Sequence, residues 1–128
     1  MKLLLDTCAL IWLASEPARL GKAAAIAIND PAAVLHVSHA SLWEIILKHA
    51  AGKLTLPEPP RKWWSDQVAK WGIVELPLTA EALLRGSELP PHHKDPFDRV
   101  ILAEGRTHGL QVVSPDGEFA PYGIPLVW

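Results

Sequence analysis

The sequence predicts an α/β protein of three layers, α/β/α, around a central, mostly parallel sheet of four to five strands. Three observations carry this reading. Short leucine-rich or β-branched runs alternate with longer stretches of helical periodicity, a pattern that favours parallel strands joined by crossover helices. The opening run Lys2-Leu3-Leu4-Leu5 stops at Asp6, and a carboxylate ending a buried strand lies at the sheet edge where open α/β folds bind ligands. Three later acids, Glu44, Asp98 and Asp116, trace to that same edge.

Composition sets the frame. The chain has 128 residues, of which 49% are hydrophobic, enough for one domain (1–128) with a real core. A net charge of −2 argues against a general nucleic-acid binder of the basic kind, but not against an enzyme acting on nucleic acid. The single cysteine, Cys8, has no intrachain partner and lies in an apolar run, which suits core filler in a reducing compartment. The apolar start is broken by Asp6 and has no basic flank or cleavage site, so neither a signal peptide nor a membrane span is expected. A cytoplasmic protein is the expectation.

The elements follow in order. Asp6 suits the N-cap of a helix through the apolar run Ala9 to Leu13 as well as it suits a ligand site. Glu16-Pro17 ends that helix, and an alanine-rich helix runs from Gly21 to Asn29. Ala33 to Val37 is the second strand, with His36 a satisfied strand residue and Ser38 at its end. Ala40 to Ala51 is a helix closed by Gly52, in which Ser41-Leu42-Trp43-Glu44 also fits a capping box. Leu54 to Pro60 is a proline-stiffened connector. In the helix Arg61 to Trp71, residues Trp64, Val68 and Trp71 share one face, as core or partner surface, while Trp63, Gln67 and Lys70 lie away from it.

Ile73 to Leu76 reads as the third strand, and Thr79 caps a helix from Ala80 to about Glu88. After a loop containing His92 and His93, Asp95 is a good N-cap, Pro96 sits where its missing N–H costs nothing, and Asp98 falls in the first turn of a helix ending at His108-Gly109. The paired histidines lack the spacing of a zinc site. Leu110 to Ser114 is the fourth strand, Pro115-Asp116-Gly117 a turn at its end, and Ile124 to Val127 a final short strand.

In a parallel sheet, Asp6 and Asp116 follow strands one and four, and Glu44 lies early in the helix leaving strand two. The helix that opens at Pro96 runs antiparallel to strand four and returns Asp98 to the same edge. Four carboxylates brought together repel unless a cation neutralises them. Oxygen-only ligands select Mg²⁺ or Mn²⁺, and a carboxylate-held Mg²⁺ suits hydrolysis of a phosphodiester. No phosphate-binding glycine loop, nucleophile elbow or Cys/His pair offers another chemistry. Leu5 and Thr7 beside Asp6, and Cys8 two residues on, exclude a phosphoacceptor domain and a D-x-D phosphatase.

Five segments in this order, Leu4-Leu5-Asp6-Thr7, Ser41-Leu42-Trp43-Glu44-Ile45, Asp95-Pro96-Phe97-Asp98-Arg99, Val113-Ser114-Pro115-Asp116, and Phe119 with Tyr122-Gly123-Ile124-Pro125, resemble the PIN-domain ribonucleases. Within that family they are most similar to the toxin subunits of VapBC-type toxin–antitoxin systems. The resemblance implies a PIN-like fold and a metal-dependent endoribonuclease with Asp6, Glu44 and Asp98 as principal acids and Asp116 as the fourth, often bound through water. Ser114 matches the position where relatives carry threonine or serine before the fourth acid. The resemblance further implies a homodimer, a cognate VapB-type antitoxin covering the active groove, and an RNA substrate. Arg99, where many relatives have a small residue, would contact phosphate or antitoxin, or stay solvated or salt-bridged. Arg19, Lys22, Lys48 and Lys53 are further candidate phosphate contacts. A catalytically silent PIN-like module that holds RNA or protein is the alternative.

Overall fold

The computed structural model describes all residues from Met1 to Trp128. Along the chain lie β1 (Lys2–Leu5), α1 (Thr7–Ser15), α2 (Lys22–Asn29), β2 (Val34–Ser38), α3 (His39–Ala50), α4 (Pro60–Trp71), β3 (Val74–Leu76), α5 (Ala80–Glu88), α6 (Pro96–His108), β4 (Gln111–Val113) and β5 (Leu126–Val127). The strands form one sheet in the order β3-β2-β1-β4-β5, and every pairing is parallel. β1 is central, with Leu5 opposite Val37 on one side and Val113 on the other.

Alternation along β1 sends Leu3 and Leu5 to one face and Leu4 to the other, and all three are fully buried. The first face carries α1 to α4, whose Leu10, Leu13, Ile28, Ile45, Trp63 and Trp64 pack with Leu35 and Val37. The second carries α6, with Val100, Ile101, Leu102 and Ala103 packed on Leu4 and Val112, and closes beneath Phe119, Tyr122 and Ile124. Helices cover both faces, so strands buried on each side read as unbroken apolar runs.

The chain moves outward from β1 to β2 and β3, then returns across α5 and α6 to β4 on the far side of β1. That reversal opens a crevice at the carboxyl ends of β1 and β4. Helix α6 lies close on β4 because Gly105 has no side chain: a Cβ there would stand 2.8 Å from Val112 Cγ2. Gly105→Val is therefore expected to lower the unfolding free energy by about 1–3 kcal/mol, read as a lower urea midpoint with unchanged slope.

Two local expectations are corrected. Helix α3 starts at His39, because β2 runs into it without a loop, and its N-cap is Ser38, whose Oγ accepts from the Ala40 N–H at 3.0 Å. Glu44 thus lies in the second turn and forms no capping box. In α4 the apolar face is wider than the stripe Trp64, Val68 and Trp71: Trp63, expected away from it, is 4% exposed and belongs to the core. The helix packs beside α3, and both consecutive tryptophans join the cluster of Leu35, Val37 and Ile45. The Trp64 indole donates to Glu75 Oε1 at 2.7 Å. His36 meets its strand expectation, with Nδ1 3.0 Å from the Leu3 carbonyl.

Candidate active site

Asp6 stands where β1 ends and α1 begins, and it fills the N-cap role: Oδ1 accepts the Ala9 N–H at 2.7 Å. The cap fixes the carboxylate at the sheet edge without hiding it from the crevice. Beside it the Thr7 hydroxyl donates to Ser41 Oγ at 2.9 Å, both groups buried, and this pins the start of α1 to α3 one turn before Glu44. Glu44 is buried; Oε2 pairs with Lys48 one turn on, and Oε1 has no partner.

Asp98 arrives from the opposite layer. Asp95 caps α6, its Oδ1 accepting from the Phe97 N–H at 2.9 Å and the Asp98 N–H at 3.3 Å, which aims the first turn at the crevice. Asp116 follows β4: its N–H donates to Ser114 Oγ at 3.0 Å, and Oδ1 accepts from the Glu118 N–H at 2.9 Å, starting a 3₁₀ turn over Gly117–Tyr122. All four expected acids, with Asp95, line one cleft of about 370 Å³ whose wall includes Thr7, Cys8 and Lys48.

The carboxylates feel one another. Burial is the main force on Asp6 and pushes it up to about 6, against the Ser114 hydroxyl and the Ala9 N–H and with the charges of Glu44 and Asp116. Asp98 is pushed up to about 7, first by burial, then by the charges of Asp95, Glu44 and Asp6, with His93 opposing. Two acids held this far above the usual carboxylate range near neutral pH mark a site short of positive charge.

His93 stands among these acids, a placement that the sequence did not reveal. It is buried, and Nε2 lies 2.8 Å from Asp116 Oδ2, 3.4 Å from Asp98 Oδ2 and 3.7 Å from Glu118 Oε2. Ligand atoms of His93, Asp98 and Asp116 all fall within 4.8 Å of one another. Burial pulls its pKa down, but the hydrogen bond to Asp116 and the charges of Asp98, Asp116 and Glu118 outweigh it and the net direction is up.

Three expectations about contact residues change. Arg99 points away from the cleft: its guanidinium donates to the carbonyls of Ser87, Leu89, Pro90 and His93 at 2.6–3.3 Å. Both terminal nitrogens of the guanidinium are taken up by these carbonyls. Ser114 is buried beneath Asp6 and the Asp116 N–H, so it supports two acids and has no surface for substrate. Cys8 is half-buried on the cleft wall, outside the core, and burial, then the Asp6 charge, pushes its thiol up to about 11. Of the basic candidates, Lys48 is tied to Glu44, and Arg19 lies over the Trp12 ring at 4.2 Å; Lys22 and Lys53 are exposed.

The residues present fit a hard divalent cation. The donors are carboxylate oxygens, Glu44 Oε1 is buried and unpartnered, and Asp6 and Asp98 lack the charge that would keep them ionised. Fold and site together define a parallel α/β protein with an acid cluster at the point where the strand order reverses. The PIN domain family model matches residues 3–124, and the chain belongs to that family. No curated protein matches the sequence.

Among solved structures the fold is similar to VapBC2 from Rickettsia felis bound to a DNA fragment from their promoter. That match has a TM-score of 0.69 at 12% identity and covers 98% of this chain and 97% of the other. FitAcB from Neisseria gonorrhoeae gives 0.59 at 19% identity, covering 97% and 95%. FitAB bound to an IR36 DNA fragment gives 0.60 at 17%, covering 97% and 92%. At these identities the likeness is one of fold. No helix is long and apolar enough to cross a membrane.

Proposed function

We propose that this chain is a divalent-metal-dependent endoribonuclease, the toxin of a type II toxin–antitoxin pair. The observation that carries the reading is the convergence of Asp6, Glu44, Asp98 and Asp116 in one cleft, with a buried glutamate oxygen left unpartnered. Membership of the PIN family supports nuclease chemistry, and the likeness to VapBC2 and FitAB structures supports a toxin with a VapB-type antitoxin.

In this reading Asp6, Glu44 and Asp98 hold Mg²⁺ or Mn²⁺, with Asp116 as the fourth acid. The cation supplies polarisation of the phosphodiester and activation of water. The chain's own part is positioning. Asp6 is fixed by the Ala9 N–H, Asp98 by the Asp95 cap, and Lys48 offsets the Glu44 charge from the next turn of α3. Backbone contacts to RNA would come from Lys48, Lys53 and Lys22. Exposed Trp43 and Leu83 line an apolar cleft of about 450 Å³ between α3, α5 and α6, a candidate face for the homodimer.

Cleavage of total cellular RNA by antitoxin-free protein tests the reading. Discrete fragments are expected with Mg²⁺ and none with chelator. Asp98→Asn, which keeps the shape and removes the charge, is expected to lose activity by about 100-fold or more, beyond the 10–100-fold typical of outer-shell partners. Equal cleavage by wild type and variant would mean a contaminant or a different site. Tight RNA binding without cleavage by the wild type would move the chain to the silent binding module.

A further inference from the structure

The loop between α5 and α6 holds one histidine by every polar atom it has. The His93 N–H donates to Tyr122 Oη at 2.7 Å, and the Tyr122 hydroxyl donates on to the Pro90 carbonyl at 2.7 Å. The His93 carbonyl accepts from Arg99 at 2.9 Å, and the ring packs edge-on against Phe119, centroids 5.4 Å apart. A side chain so fixed has one orientation.

That orientation sets its tautomer. Nδ1 accepts the Asp95 N–H at 3.1 Å, and a ring nitrogen that accepts carries no proton. The proton of the neutral ring is therefore on Nε2, which faces Asp116 Oδ2 at 2.8 Å. Nε2 carries its proton whichever charge the ring holds, because Asp116 Oδ2 is there to accept it.

We propose that His93 is a positioning residue in its Nε2–H form: it donates to Asp116 and holds that carboxylate beside Asp98, and is not itself a metal ligand. A protonated Nε2 has no lone pair to offer a cation. Asp116 is gripped at both oxygens, by His93 at Oδ2 and the Glu118 N–H at Oδ1, whereas Glu44 keeps one oxygen unpartnered. The clip ties the loop before α6 to the turn after β4, so the α6 acid and the β4 acid are held against one side chain. Histidines that orient ligands in this manner typically change metal affinity by about 10–100-fold when removed.

Two measurements on the full chain test this. Long-range ¹H–¹⁵N correlation spectra of labelled native protein report the tautomer, which is expected to be Nε2–H both without metal and with Mg²⁺. Calorimetric titration with Mn²⁺ is expected to show a loss of about tenfold or more for His93→Phe, which keeps the ring against Phe119 but has no nitrogen. His93→Gln, whose amide can donate in place of Nε2–H, is expected to bind within about threefold of native. An Nδ1–H tautomer, loss of the Nε2 proton on adding Mg²⁺, native affinity in His93→Phe, or a tenfold loss in His93→Gln would each overturn the proposal. Should His93→Phe not fold, the native spectra and the glutamine variant decide. The affinity measurement rests on the metal-nuclease reading and the tautomer does not: native protein that binds no Mn²⁺ defeats that reading, and the spectra still judge the clip.

Discussion

Metal-free protein is expected to gain stability as pH falls from 8 to 5, the reverse of ordinary acid denaturation. Asp6 and Asp98 are raised in the folded state to about 6 and about 7, from the ordinary aspartate value of 3.8. A carboxyl raised on folding binds its proton more tightly in the native state, so its contribution is complete below the unfolded pKa and is lost as pH rises through the folded one. Over this window the contributions are about 1 kcal/mol for Asp6 and about 3 kcal/mol for Asp98.

Urea unfolding in chelator at the two pH values measures the change. Asp98→Asn should be more stable than wild type at pH 8 and show a flatter profile, because it removes a desolvated charge from a repelling cluster. Mg²⁺ should stabilise the wild type at pH 8 and do little for the variant. An equally steep profile in both proteins would mean that Asp98 is not the group that titrates.

The second large effect is expected at Arg99. Its guanidinium reaches the Ser87 carbonyl in the last turn of α5 and three carbonyls of the α5–α6 connection, and hydrogen bonds from a charged donor are worth more than neutral ones. Arg99→Ala should cost about 3 kcal/mol and raise amide hydrogen exchange across residues 87–95 before the rest of the chain. Arg99→Lys should recover little, since an ammonium cannot span carbonyls that a planar fork spans. Unchanged exchange in that segment, with stability lost elsewhere, would show that the arginine does not fasten this loop.

These two residues mark where sequence reading succeeded and where it stopped. The acids were legible because each terminates or follows a periodic element: once β1, β2 and β4 are parallel, Asp6, Glu44 and Asp116 share an edge. Asp98 was legible because Asp95-Pro96 announces a helix start. Arg99 carries no such signal, for its direction depends on a loop that curls back over the first turn of α6. His93 was hidden for the same reason, since its partners Tyr122, Phe119 and Asp116 come from beyond β4. The double histidine near Asp95 is the available clue, because a histidine without zinc spacing can still hold an acid by a hydrogen bond. Trp63 shows the limit of periodicity: a three-residue stripe cannot say how wide a groove awaits the helix.

The place of β1 in the sheet has a consequence for the order of events during synthesis. The strand that carries Asp6 pairs on one side with β2 and on the other with β4, which is made much later than either. Its closing neighbour arrives last, and pairings so distant in sequence form late. A nascent chain carries Asp6 and Glu44 long before Asp98 and Asp116 exist beside them, and lacks the α6 layer that would bury Leu4. The acid cleft therefore needs β4 paired with β1, and a nascent chain that stops before Asp116 cannot possess it.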